Sequence, residues 1–176
     1  GTMLRYRNEL KPLPDRAKTA RDILIIGRSL SIVLRHVAFF RTRLEEGATI
    51  RLAMVNPEDD AVCKAMGPLL ETTPEGFRAD VESALGLVRT ITEGVKGPGK
   101  LEVRFIRFVP TMSLAAVDSK SDAGHIVVEL LPYKADPSSR PHMIFTANEN
   151  RFWFEYFRAI AERIWQDAEP WNGTKF

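Results

Sequence analysis

The sequence predicts one α/β domain: a mixed, mostly parallel sheet flanked by helices on both faces, with elements in the order βαβααββββα. Three observations predict it. Residues 22–27 (Asp-Ile-Leu-Ile-Ile-Gly) form a continuous apolar run closed by glycine, the pattern of a strand buried on both faces. A second strand at 49–55 follows after one helical stretch, so strand, helix and strand form a crossover unit, parallel by the usual handedness rule. The second half then changes to short strands in succession and closes on a single amphipathic helix.

The elements follow in order. Residues 4–13 are polar and lead into Pro12 and Pro14; from Asp15, a candidate N-cap, a short helix extends to Arg21. Ser29 or Ser31 caps the next helix, whose apolar positions Leu30, Val33, Leu34, Val37, Phe40 and Leu44 recur at helical spacing until Gly47 stops it. The 49–55 strand ends at Asn56-Pro57. Residues 57–66 and 74–95 read as helices, the second with Val81, Leu85, Val88 and Ile91 on one face, and 94–100 as a glycine-rich turn. Strands are expected at 101–109, 113–118, 125–131 and 142–146, separated by a hairpin turn at 119–124 and a longer connection at 132–141. Residues 150–168 make the closing helix, with Phe154, Phe157, Ile160, Ala161, Ile164 and Trp165 on one stripe and Pro170 beyond it.

Composition narrows the function classes. A length of 176 residues fits a leader at 1–14, a domain at 15–170 and a tail at 171–176. Gly1 and Thr2 before Met3 read as an expression-vector remnant, which fits a piece of a larger multidomain protein. The formal net charge of +2 is too small to argue for nucleic acid or an anionic membrane without a local cluster, so no membrane and no nucleic-acid partner is expected. Cys63 is the only cysteine, which excludes an intrachain disulfide and points to a reducing, cytoplasmic compartment. No apolar run is long enough to span a membrane. His36 and His125 have no acid or cysteine partner at metal-ligand spacing, so neither metal nor cofactor is expected.

His142, Ile144 and Glu149 carry the most specific pattern. Their spacing is that of His-x-Lys-x4-Asp, with isoleucine at the lysine position and glutamate at the aspartate position. Three further segments accompany it in order: residues 20–30 (Ala-Arg-Asp-Ile-Leu-Ile-Ile-Gly-Arg-Ser-Leu), 44–52 (Leu-Glu-Glu-Gly-Ala-Thr-Ile-Arg-Leu) and 157–165 (Phe-Arg-Ala-Ile-Ala-Glu-Arg-Ile-Trp). Together, over residues 15–170, they resemble the phospholipase D-like domains that bacteria attach to regulators and defence-associated proteins. In that family the histidine attacks phosphorus and the lysine holds the phosphate oxygens. The resemblance therefore implies a domain that has lost catalysis, because an aliphatic side chain cannot stabilise charge on a transferring phosphoryl group. It also implies a homodimer, since the family's two motif copies meet across a pseudo-twofold. No Gly-Gly or Gly-Ser-x-Asn stretch follows Glu149, a further departure from the family's pattern.

Each candidate residue carries two readings. His142 is a nucleophile or a hydrogen-bonded structural residue, and Glu149 orients it or caps the last helix. Gly27, Arg28 and Ser29 form an anion-binding strand–helix turn, or a plain turn with a serine N-cap. Arg107 and Glu129 project from apolar strand faces and form a partly buried ion pair, or line a pocket. Asn56, Thr111, Ser113 and Asp118 lie at strand ends, where ligands of open α/β sheets bind. Arg35, Arg41 and Arg43 read as a solvated helix face. Phe152, Trp153, Phe154, Tyr156 and Phe157 surround the start of the last helix, which suits a dimer contact or cover by residues 134–140.

The function expected is a non-catalytic regulatory or sensing module that binds a small phosphate-bearing ligand, or a protein partner, around Gly27–Ser29, Asn56, Arg107 and His142. One alternative is a phosphodiesterase or nuclease in which Arg28, Arg107 or Arg140 replaces the motif lysine. The other is a structural dimerisation domain.

Overall fold

The computed structural model describes residues 3–173. Its main elements are α1 (Leu13–Arg16), β1 (Asp22–Ile26), α2 (Val37–Glu45), β2 (Thr49–Val55), α3 (Asp60–Leu70), α4 (Pro74–Thr92), β3 (Lys100–Ile106), β4 (Met112–Val117), β5 (His125–Leu130), β6 (His142–Thr146), α5 (Ala147–Asp167) and β7 (Glu169–Pro170). The strands form one mixed sheet in the order β6-β5-β4-β1-β2-β3-β7. Only β1–β2 and β2–β3 pair in parallel; β1–β4, β4–β5, β5–β6 and β3–β7 are antiparallel. The sheet is therefore mostly antiparallel, contrary to the expectation. The short connections between β4, β5 and β6 leave no room for the crossover helix that a parallel neighbour needs.

Helices cover both faces. Arg51 on β2 donates two hydrogen bonds of 2.7 Å to Glu162 of α5, and Arg104 on β3 donates to the carbonyl of Trp165 at 2.9 Å. Both guanidiniums also lie over the Trp165 ring, 5.6 Å and 4.2 Å from its centroid. These residues place α5 on one face, where Phe145 of β6 stacks on Phe157. Strand alternation puts Ile50, Leu52 and Met54 on the opposite face. They are buried under the helices of the first half, among them Phe40 and Leu44 of α2 and Phe77, Val81 and Val88 of α4.

Two boundary differences shape the site. The helix expected to begin at Ser29 or Ser31 begins at Val37, after a single 3-10 turn at Val33–Arg35. Leu30 is the cause: its φ of 60° lies in the left-handed region, which turns the chain before any helix can start. The strand expected at 101–109 stops at Ile106. The leader, in turn, belongs to the fold. Arg5 and His142 exchange backbone hydrogen bonds of 2.9 and 3.1 Å along the β6 edge, and Leu13 is buried in the core.

Candidate functional site: a cationic cavity at the end of the sheet

The sheet reverses its chain order between β1 and β4, and ligands of open α/β sheets bind beyond strand ends at such a point. Here β1 runs out into Gly27, whose amide donates to Ala53, and Arg28, whose carbonyl accepts from Val55; both still follow β2. A Cβ on Gly27 would come 2.8 Å from Leu30 Cδ2 of the same turn and 3.6 Å, an ordinary contact, from Ser113 Cβ of β4. Beyond it opens a cavity of about 880 Å³, bounded by the leader, the 27–33 turn, α4, the ends of β4 and β5, and the connection before β6.

Four guanidiniums and one carboxylate dominate its inner wall: Arg7, Arg16, Arg28, Arg140 and Glu129. Glu129 meets Arg7 at 3.2 Å and Arg140 at 3.7 Å. Burial pushes its carboxyl up, while these arginines pull it back. Arg28 is 8% exposed, and Nη2 reaches the Leu131 carbonyl at 3.3 Å. The Nε groups of Arg28 and Arg140 are buried without a hydrogen-bond partner. Burial, and then the charge of Arg140, lower the Arg28 guanidinium to about 10. Arg16 donates from Nε to the Lys11 carbonyl and from Nη1 to His125 Nε2, both at 2.9 Å, and burial, then Arg7, lower it to about 10. An arginine only donates, so His125 must accept at Nε2 and be neutral. Burial, then Arg16, hold its imidazole down at about 4.

The outer wall differs in character. Ser29 Oγ donates to Asp80 Oδ2 of α4 at 2.6 Å, and Ser31 Oγ donates to the same oxygen at 3.1 Å. Asp80, Glu71 and Asp136 are exposed at this rim, with Lys11 and Lys134.

Of the residues singled out from sequence, Gly27, Arg28, Ser29, Glu129 and Arg140 line this cavity, as does Ser113. Asn56, Arg107 and Glu149 lie elsewhere, as do Thr111 and Asp118. Asn56 makes a local turn, its Oδ1 accepting from the Glu58 amide at 2.9 Å. Arg107 falls past the end of β3, where it is exposed and pairs with Glu169 at 2.6 Å; the expected Arg107–Glu129 pair is not formed. Glu149 is exposed in the first turn of α5, its amide donating to the capping Thr146 Oγ1. His142 begins β6 and Glu149 follows its far end, so the strand holds the two apart.

His142 itself lies opposite Glu129, on the cavity face of the sheet, but is fully buried beneath the leader. Neither ring nitrogen has a hydrogen-bond partner, and burial, then Arg7, hold the imidazole below its usual value. Sequence reasoning passed over Arg7, Arg16 and Asp80. The leader has no periodicity to betray the arginines, and Asp80 sits on the polar face of α4 like any solvated acid.

Among the described residues, no group of three or more His, Cys, Asp or Glu side chains could hold a metal ion. No helix among them is long and apolar enough to cross a membrane. Neither the family models nor the curated proteins compared with this chain give a match.

Proposed function

We propose that the chain is a non-catalytic, phospholipase D-like regulatory or sensing module that binds a small phosphate-bearing anion in this cavity. One observation carries the reading. The inner wall carries four guanidiniums and a single carboxylate, which pairs with Arg7 and Arg140, and two buried Nε–H groups there lack acceptors. Buried charge is costly unless it is paired, and a guanidinium is suited to bidentate contact with phosphate oxygens. An anion would satisfy both needs.

His142 supports the absence of catalysis, because an imidazole with no exposed surface cannot reach a phosphorus atom without moving the leader. The spacing of His-x-Lys-x4-Asp is met a second time by Thr111, Ser113 and Asp118, and Ser113 lines the cavity. Read there, the motif keeps the acid and has neither nucleophile nor ammonium. On either register the chain would bind phosphate without cleaving an ester. The homodimer belongs to this proposal as well, with the exposed Phe152, Trp153 and Tyr156 of α5 as its contact.

Thermal unfolding with increasing inorganic phosphate tests the binding. The melting temperature rises with concentration in the native protein and stays constant in Arg28→Ala/Arg140→Ala. A flat response in the native protein overturns the proposal. Bis-p-nitrophenyl phosphate should remain unhydrolysed; turnover abolished by His142→Ala would instead establish the phosphodiesterase.

A further inference from the structure

We infer that the ligand is a phosphomonoester whose body carries hydroxyl groups, and that Asp80, held by Ser29 and Ser31, reads those hydroxyls. The inference rests on the anion-binding reading and adds the rest of the molecule to it.

The cavity has two poles of opposite hydrogen-bonding character. On the inner pole Arg28, buried to more than nine-tenths with Nε unpartnered, stands beside Arg140 and offers only donors. The excess of guanidinium over carboxylate there matches a dianion better than a carboxylate's single charge. At the outer pole the polarity reverses. Ser29 and Ser31 both donate to Asp80 Oδ2, and Ser29 Oγ accepts in turn from the Ser31 amide at 3.4 Å and lies 3.1 Å from Ser31 Oγ, so the acceptor left to a ligand is chiefly Asp80 Oδ1. That group suits O–H donors rather than phosphate oxygens.

Both poles line the one cavity, so a single small molecule can span them, with phosphate and hydroxyls on one body, as in a sugar phosphate. A volume of about 880 Å³ also admits a base on the sugar. The shared chemistry is the hydroxylated phosphomonoester; its source is a free sugar phosphate or a nucleoside monophosphate.

Titration calorimetry with inorganic phosphate, n-butyl phosphate, ribose 5-phosphate and adenosine 5′-monophosphate tests this on the intact protein. Ribose 5-phosphate or the monophosphate should bind about tenfold tighter than butyl phosphate, the worth of one or two hydrogen bonds to a charged acceptor. Asp80→Ala should remove that preference, while phosphate and butyl phosphate, relieved of a nearby carboxylate, bind no more weakly than before. Asp80 is exposed, and Asp80→Asn, which keeps an acceptor for the serines, guards against a folding artefact by losing most of the preference too. Whichever of the two sugar-bearing ligands binds tighter identifies the source. Equal binding of butyl phosphate and both sugar-bearing ligands overturns the inference but leaves anion binding intact, as does an Asp80→Ala loss shared by every ligand. Failure of all four to bind overturns both.

Discussion

Arg28 is held where a cation is disfavoured: buried, beside Arg140, with Nε lacking an acceptor. Such a residue costs stability and is retained when it serves a ligand. Arg28→Met keeps the volume and removes the charge. It should raise the stability of the ligand-free protein by about 1 kcal/mol in urea titrations while abolishing the phosphate-dependent rise in melting temperature. His125 makes a different prediction. Its folded value of about 4 lies below the ordinary 6.5, so on acidification the unfolded chain takes up the proton first. The stability due to neutral His125 is present above about pH 6.5 and is lost as the pH falls through about 4. His142 is lowered too and acts in the same direction. Glu129 is raised and has the opposite sign, its stabilisation being lost as pH rises through its folded value. His125→Gln keeps an acceptor for Arg16 without titrating. Its plot of unfolding free energy against pH should be shallower between pH 6.5 and 4, with a residual slope from His142. An unchanged slope would remove His125 from the account.

Among the elements, α5 is tied to the sheet by one ion pair as well as by its apolar stripe. Arg51 and Glu162 meet through two hydrogen bonds in a half-buried setting, with Asp22 3.5 Å from the same guanidinium. The hydrogen bonds to Glu162 hold Arg51 charged above its usual range, and Arg51 in turn holds the Glu162 carboxyl low. Glu162→Ala leaves Arg51 only the more distant Asp22 and should cost about 2 kcal/mol, whereas Arg51→Met/Glu162→Leu should recover most of that loss. Urea titrations of the three proteins check it. Periodicity made these elements legible: α4 shows its stripe of Val81, Leu85, Val88 and Ile91, and α5 its aromatic series. Strand direction was legible at the 119–124 hairpin turn, which makes β4 and β5 antiparallel, but no local signal marked the antiparallel insertion of β4 beside β1. The turn after β1 misled for a local reason. A leucine in the left-handed region has no sequence signature, so Ser29 read as a helix cap when its hydroxyl serves Asp80. Arg107 misled because the β3 pattern continues past the last paired residue, Ile106.

For the molecule as a whole, the leader completes both the sheet and the cavity. It pairs with the exposed margin of β6 at His142, supplies Arg7 to Glu129 and seats Leu13 in the core. Deleting residues 1–12 should lower the melting temperature, weaken phosphate binding and promote association through the bared strand, as measured by calorimetry and light scattering. A truncated protein that remains monodisperse and equally stable would make the leader incidental. The cavity was legible in the sequence at its chain-continuous part, Gly27 to Ser29, and obscure where distant segments converge. Nothing in one dimension relates Arg7 to Arg140. The packing of α5 has a last consequence. Trp165, with two sheet guanidiniums over its ring, loses both cations and meets water as soon as the helix lifts. With Trp153 and Trp171 replaced by phenylalanine, its fluorescence would become a built-in optical gauge of helix docking, readable without any label.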